Sequence, residues 1–144
     1  MQIIPVLDLK QGVVVRARMG QRDQYRAIET PLSPTSDPHG VARGLRTLCR
    51  FTSFYIADLH AIEGRGDNRA SIARLAAEFP DATFWVDNGI ADPDRATAWL
   101  DANLGHLVLG SESQRDTALL RRLAASDRVV LSLDFRGPDF VGPS

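Results

Sequence analysis

The chain is poor in several residue types that carry chemistry. Its 144 residues include a single cysteine, Cys49, a single lysine, Lys10, and three histidines at unrelated positions. One cysteine excludes an internal disulfide, and the scattered histidines predict no metal centre. Cys49 falls on the apolar side of a predicted helix, so we expect the thiol to be buried and unreactive.

Sequence patterns of several common enzyme classes are also missing. The chain contains no GxGxxG fingerprint, no phosphate-binding P-loop and no GxSxG elbow. These absences exclude the usual dinucleotide, nucleotide and serine-hydrolase sites. We therefore expect an activity that needs no cofactor.

Long apolar runs and an excess of one charge are absent as well. Asp8 interrupts the N-terminal apolar run, which has no basic region before it and is too short to cross a bilayer. The net charge is only -1, which argues against nucleic-acid and anionic-membrane partners. We expect a cytoplasmic protein of one domain, with 44% apolar residues to form its core.

What the sequence does contain is an alternation of short apolar runs and helical stripes. A run at residues 3–10 is followed by a hairpin-like excursion at 13–17 and a long polar loop at 19–36. Further strands are predicted at residues 54–57, 83–86, 106–109 and 129–133, with amphipathic helices between them. This spacing predicts an α/β fold of parallel βα repeats.

Aspartates follow four of these strands and are the strongest functional signal. Because parallel strands present their carboxyl ends at one edge of the sheet, Asp8, Asp58, Asp87 and Asp134 should meet at one mouth. Asp8 and Asp134 have no helix directly after them to cap, so we assign them to acid/base chemistry. Asp58 and Asp87 are either ligand contacts or loop anchors.

Other acidic and polar residues have simpler explanations as helix caps. Asp37-Pro38 and Asp92-Pro93 pair an N-cap residue with proline at the first helical position, and Asn68 is placed to cap the helix between them. We expect these side chains to begin helices and to take no part in chemistry.

Two glycine turns suggest a site for a phosphorylated small molecule. Asn88-Gly89 and Gly110-Ser111 follow adjacent predicted strands. Glycine permits close approach of the backbone to an anion, and a helix N-terminus offers free N–H groups. Arg16 and Arg22 belong to the first loop and are expected either to close over the mouth or to remain on the solvated surface.

Five segments taken together resemble the HisA/HisF family of histidine biosynthesis, and most closely its isomerase branch. They are IIPVLDLKQGVVVRA, FYIADLHAIEG, FWVDNGI, HLVLGSES and VVLSLDFRG, in that order. The resemblance implies an eightfold (β/α) barrel, of which residues 1–144 are the N-terminal half with about five strands. It also implies a phosphosugar isomerase that performs an Amadori-type aldose–ketose rearrangement.

The same resemblance assigns roles to individual residues. Asp8 would remove a proton from the sugar carbon, and Asp134 would protonate the ring oxygen. Gly89 and Gly110-Ser111 match turns that hold one phosphate of the substrate. Independently of the resemblance, Asn88, Asp58 and Arg16 are candidate substrate contacts because of their predicted places beside the mouth. The family's third turn is usually GGGI, whereas here it is DNGI. This difference motivates an alternative function, a non-catalytic or altered-substrate phosphate-binding protein.

Five parallel strands cannot close a barrel, which leaves two expectations for assembly. The chain is a fragment of a longer protein, or copies of it associate through the exposed sheet edges as a homo-oligomer. An open flavodoxin-like sheet is a third possibility, because it accommodates five βα units without truncation.

Overall fold

The computed structural model describes residues 1–18 and 20–143, which form a sheet with helices packed on one face. The strands are β1 (Val6–Lys10), β2 (Val13–Arg16), β3 (Arg26–Ala27), β4 (Ser53–Asp58), β5 (Thr83–Asp87), β6 (His106–Gly110), β7 (Val129–Ser132), β8 (Asp134–Arg136) and β9 (Asp139–Val141). The helices are α1 (Pro38–Leu48), α2 (Leu59–Ile62), α3 (Arg69–Glu78), α4 (Pro93–Asp101) and α5 (Ala118–Leu123).

The order of the strands identifies the architecture. Seven strands run in the order β3-β2-β1-β4-β5-β6-β7, and β8 pairs with β9 in a separate hairpin. Strands β1, β4, β5, β6 and β7 are parallel and follow one another in chain order. A flavodoxin-like sheet reverses direction at a switch point, so that alternative is wrong. The predicted α/β fold is confirmed, and it is consistent with part of a (β/α)8 barrel.

The core lies between the sheet and the helices, on what would be the outer face of a barrel. Alternate strand residues such as Leu7, Leu9 and Ile56 are at most 1% exposed there and pack with Ile72 and Leu75 of α3. On the opposite, inner face, Val6 is 59% exposed. The helices therefore cover only one side of the sheet, as in a barrel wall.

The first strand has different limits from those predicted. Pro5 lies just before β1, where its carbonyl oxygen accepts a hydrogen bond from the Tyr55 N–H at 2.9 Å. Beyond Asp8 the strand continues to Lys10 and turns at Gln11 and Gly12 into the predicted hairpin. Asp8 therefore lies within a paired strand, where neighbouring backbones hold it in place.

Two of the three predicted helix caps are confirmed. The Asp37 carboxylate accepts a hydrogen bond from the Gly40 N–H, and Asp92 accepts from the Asp94 and Arg95 N–H groups. Caps of this type contribute about 1 kcal/mol each. Asn68 occupies the N-cap position of α3, but its side chain makes no capping hydrogen bond. The prediction of a buried Cys49 is wrong, because α1 ends at Leu48 and the thiol is exposed.

The long first loop is held against the hairpin. Its predicted first residue, Met19, lies outside the described residues. In the remainder, β3 pairs with β2, and the Val14 N–H and carbonyl bond to Ser36 and Ile28 at 2.8 and 2.9 Å. Within residues 1–18 and 20–143, no helix is long and apolar enough to span a membrane.

We expect the isolated chain to associate in solution through the edge strand β7 and the adjoining hairpin. Leu131, Leu133 and Phe135 are 41%, 59% and 59% exposed, and in the described part of the chain β7 has a neighbouring strand on one side only. Light scattering coupled to gel filtration should give a mass above the 15.8 kDa of one chain. Leu131→Arg should lower that mass, whereas Arg74→Glu, at an exposed position of α3, should not. A concentration-independent monomer would contradict this expectation.

Candidate active site

A cavity of about 440 Å³ opens at the carboxyl ends of the parallel strands. Its charged lining includes Asp8, Arg22, Asp87, Glu112, Asp134 and Arg136, and Tyr55 also borders it. Asp8 comes from β1, Asp87 from β5 and Asp134 from β8. The structure thus brings three of the four predicted strand-end aspartates to one place.

The pairing of the strands explains why Asp8 and Asp87 share a face. Asp8 pairs with Ala57, and Ala57 pairs with Asp87 on the other side. Directly paired residues of neighbouring strands point to the same face of a sheet. Tyr55 precedes Ala57 by two residues and therefore lies on this inner face as well.

The carboxylates of Asp87 and Asp134 both approach the backbone of Gly110. A Cβ atom at Gly110 would lie 2.5 Å from Asp87 Oδ2 and 3.3 Å from Asp134 Oδ2. Any side chain at this position would collide with Asp87. The two carboxyl groups thus flank the turn after β6, where the sequence predicts a phosphate.

Asp134 is fixed by the same turn. Its Oδ2 atom accepts a hydrogen bond from the Glu112 N–H at 3.0 Å, and its own N–H donates to the Ser111 hydroxyl oxygen at 2.8 Å. The one hydroxyl hydrogen of Ser111 is shared between the Val141 carbonyl at 2.6 Å and Asp134 Oδ2 at 3.2 Å. These contacts join the β8–β9 hairpin to β6 and orient Asp134 toward the cavity.

Asp87 is the most strongly perturbed acid of the cavity. Asp87 is only 5% exposed, and its Oδ1 atom accepts a hydrogen bond from the Gly89 N–H at 3.1 Å. Burial raises the pKa of Asp87 to about 6, and the negative charges of Asp134 and Glu112 add to the increase. The Gly89 N–H and the Arg22 charge oppose it without cancelling it.

Burial also raises the pKa values of two further groups that line the cavity. It raises the pKa of Asp8 above its usual range, against the opposing charge of Arg22. It also raises the pKa of Tyr55 to about 12, where the charges of Asp87, Asp134 and Asp8 contribute. The shift brings the pKa of Asp8 closer to neutrality, which suits this carboxyl group better to give and take protons at physiological pH. The shift of Tyr55 keeps its hydroxyl protonated.

The first loop is attached to the rim of the cavity by ion pairs. The Arg22 guanidinium binds the Glu112 carboxylate, which joins the first loop to the turn after β6. Lys10 donates to the Arg22 carbonyl at 2.9 Å and lies 3.5 Å from Glu63 Oε1. Arg22 and Lys10 thus both have acidic partners from the chain itself.

Other residues predicted for the site lie elsewhere. Asp58 is 1% exposed, and its carboxylate accepts hydrogen bonds from the Ala61 N–H and from the backbone and side-chain N–H groups of Asn68. It thus anchors the loop after β4, one of the two roles expected for it. Arg16 pairs across strands with Arg26 and borders a separate surface depression.

The predicted glycine turns have donors that the chain itself already uses. The Gly89 N–H binds Asp87, and the turn adopts a positive φ of 68°. A side chain at Gly89 would meet the Ile62 backbone at 2.9 Å. Ser111 is 2% exposed and bound as described above, while Asn88 points to the helix side of the sheet.

Sequence reasoning missed Tyr55 and Glu112. Tyr55 occurs inside an apolar strand and became visible only through its register beside Asp8 and Asp87. Glu112 follows the turn after β6 and gave no signal until its pairing with Arg22 was seen. Among residues 1–18 and 20–143 there is also no group of three His, Cys, Asp or Glu side chains placed to hold a metal ion.

We expect Asp87 to destabilise the folded chain at neutral pH. Its pKa of about 6 in the fold exceeds the unfolded value, so the folded state binds more protons between about pH 4 and pH 6. Its contribution to the free energy of unfolding should fall by at most about 3 kcal/mol as pH rises through that window. Urea unfolding should show Asp87→Asn to be more stable than the parent at pH 7.

The difference between Asp87→Asn and the parent should vanish near pH 4, where the parent carboxyl is protonated. Asp101→Asn, at the exposed end of α4, serves as the control and should follow the parent at every pH. A constant difference between Asp87→Asn and the parent from pH 4 to pH 8 would show that the ionisation of Asp87 is not its cause.

Comparison with known proteins gives the chain its family. The family model described as "Histidine biosynthesis protein" matches residues 2–142. A 1-(5-phosphoribosyl)-5-((5-phosphoribosylamino)methylideneamino) imidazole-4-carboxamide isomerase of Deinococcus radiodurans is 33% identical over 140 residues, which cover 94% of this chain and 55% of that protein. An isomerase of the same name from Halorhodospira halophila is 29% identical over 140 residues, with 95% and 54% covered.

A third relative carries no functional name. An uncharacterized protein of Methanocaldococcus jannaschii is 32% identical over an alignment of 151 positions, which covers 100% of this chain and 61% of that protein. The chain spans about half the length of the curated isomerases it matches. Because the family model matches almost all of the sequence, and the fold agrees with it, the chain belongs to the histidine biosynthesis protein family.

Proposed function

We propose that residues 1–144 form the N-terminal half of a HisA-like barrel that catalyses an aldose–ketose rearrangement of a phosphorylated ribotide. The observation that carries this proposal is the presence of Asp8 and Asp134, from the first strand and from directly after the fifth parallel strand, in one cavity. The isomerase names of two relatives support it. Because the chain spans about half their length, the activity is proposed for the whole protein.

The rearrangement requires two proton transfers that suit two carboxyl groups. Protonation of the ring oxygen by Asp134 breaks its bond to the anomeric carbon and opens the sugar ring. Asp8 then removes a proton from the carbon next to the anomeric carbon, which gives an enol. Transfer of the enol hydroxyl proton to the former anomeric carbon gives the ketose. The raised pKa of Asp8 favours its role in proton transfer near neutral pH. Tyr55, between the carboxylates on the inner face, can donate a hydrogen bond to a substrate oxygen while its hydroxyl stays protonated.

We expect the activity to depend on both acids. With the longest polypeptide that includes this chain, the bis-phosphorylated ribotide should be converted, and conversion should be followed by chromatography of the product. Asp8→Asn and Asp134→Asn should each lower kcat by about a hundredfold or more, because general acid/base catalysis contributes at least that much.

Asp101→Asn is the matched control, since it removes a carboxylate outside the cavity and should retain full activity. A parent enzyme without turnover, or an Asp8→Asn variant with the parent rate, would contradict the proposal. A loss of kcat accompanied by unfolding in circular dichroism would not count as support, so the folded state of each variant is measured first.

We propose as second candidate a HisA-like protein whose substrate lacks a phosphate at the third turn. The observation that favours it is the Asp87 carboxylate, which binds the Gly89 N–H and fills the space beside Gly110. A phosphate placed there would meet Asp87 and Asp134 at short range, and like charges in a buried site repel strongly. Hydroxyl or ammonium groups of a ligand would instead be attracted.

We expect Asp87→Gly to create a phosphate site that the parent lacks. Inorganic phosphate should shift the ¹⁵N amide signals of Gly89 and Gly110 saturably in the variant, with an affinity at least about tenfold above that of the parent. Asp87→Asn should give an intermediate result, since it removes the charge and keeps the volume. Equal shifts of both signals in the parent and in Asp87→Gly would show that Asp87 does not exclude phosphate.

A further inference from the structure

A second cavity, of about 140 Å³, lies in the helical layer. The polar side chains that border it are Asp58, Asp67, Arg69, Asn88, Arg95 and Trp99. It is placed between α3 and α4, above the ends of β4 and β5. We call it the helix-layer cavity.

The helix-layer cavity is separate from the candidate active site. Asp58 and Asn88 follow the inner-face residues Ala57 and Asp87 by one position each, so strand alternation directs their side chains to the helix side. None of the residues that line one cavity also lines the other. Both helices and both strands that border this cavity belong to the described chain.

Two of the residues that line this cavity each have a buried polar side-chain atom that lacks a hydrogen-bond partner in the described part of the chain. These atoms are Asn88 Oδ1 and Trp99 Nε1, in residues that are 6% and 4% exposed. Buried polar atoms are nearly always paired, because leaving one unpaired forfeits its hydration. One is an acceptor and the other a donor, which is what a bound polar molecule can satisfy.

Both carboxylates at the cavity already accept hydrogen bonds from the chain, whereas its two guanidinium groups have no carboxylate partner among the described residues. The Asp58 carboxylate is occupied by three N–H groups, and Asp67 Oδ1 accepts from the Arg69 backbone N–H at 3.0 Å. The guanidinium groups of Arg69 and Arg95 form no salt bridge with any carboxylate of residues 1–18 and 20–143. Arg69 lies over the Trp99 ring at 5.6 Å, which holds its charge at the cavity.

We propose that the helix-layer cavity binds a small oxyanion that carries a hydroxyl group, of the class of hydrogen phosphate and phosphate monoesters of polyols. Arg69, Arg95 and the Trp99 indole N–H donate to the anionic oxygens. Asn88 Oδ1 accepts from the hydroxyl of the ligand. The site is independent of the proposed isomerase activity, because it shares no residue with the cavity of Asp8 and Asp134.

The indole N–H of Trp99 provides a direct test with the 144-residue chain. The protein has two tryptophans, so a ¹⁵N spectrum contains two indole signals, which Trp85→Phe or Trp99→Phe assigns. Inorganic phosphate should shift the Trp99 signal saturably. Sulfate, which has no hydroxyl near neutral pH, should bind more weakly by about fivefold or more. Glycerol 3-phosphate distinguishes the two sources, since tighter binding than that of phosphate would identify an ester.

Variants at the cavity should separate a built site from general attraction to arginine. Arg95→Gln should weaken phosphate binding by about tenfold, because it removes a charge-assisted hydrogen bond. Asn88→Asp, which keeps the shape and adds a negative charge, should weaken it by at least as much. Arg74→Gln is the matched control, an exposed arginine of α3 that does not border the cavity, and should bind as the parent does.

Three results would overturn the proposal. They are an unchanged Trp99 signal at a phosphate concentration on the order of 100 mM, well above a millimolar dissociation constant, equal weakening of phosphate binding by Arg95→Gln and Arg74→Gln, and tighter phosphate binding by Asn88→Asp. If Arg95→Gln fails to fold, Arg69→Gln replaces it and is held to the same expectation. Asp8→Asn and Asp134→Asn should lose activity and keep phosphate binding at Trp99. Activity therefore tests the proposed isomerase function, and the Trp99 signal tests the helix-layer cavity.

Discussion

The register between the parallel strands is the constraint on which the site depends. Asp8, Ala57 and Asp87 are paired in one row across β1, β4 and β5, so the inner or outer direction of one side chain fixes that of the others. A shift of one residue would turn Asp8 and Asp87 toward the helices and bring Leu7, Leu9 and Val86 out of the core. Burial of those apolar side chains therefore also holds the acids at the mouth.

The same alternation explains why two neighbouring polar residues serve different purposes. Asp87 lies on the inner face with a raised pKa, while Asn88 lies on the helix side. Likewise Ala57 borders the mouth and Asp58 anchors the loop that follows it. A single position along a strand thus separates a group exposed to a ligand from a group that stabilises the fold.

Much of the fold could be predicted because its signals are local. Apolar runs marked the parallel strands, and Asp37 and Asp92 marked helix starts through hydrogen bonds within one turn. The exposure of Cys49 could not be predicted, since it depends on α1 ending one residue earlier. Asn68 looked like a cap but is held by Asp58, ten residues away in sequence, and by the Gly12 N–H at 2.7 Å. Contacts between distant segments leave no periodic pattern.

At Gly110, the acidic side chains of the cavity limit which residues can occupy the end of β6. The φ of Gly110 is -71°, which is ordinary for any residue, so the backbone does not require glycine there. Space requires it, because Asp87 Oδ2 lies where a methyl group would be. A turn that looks permissive in the sequence therefore has no room for a side chain while Asp87 keeps this conformation. Alanine at 110 would have to displace the Asp87 carboxylate, so a substitution in the turn is expected to disturb the acid with the raised pKa as well.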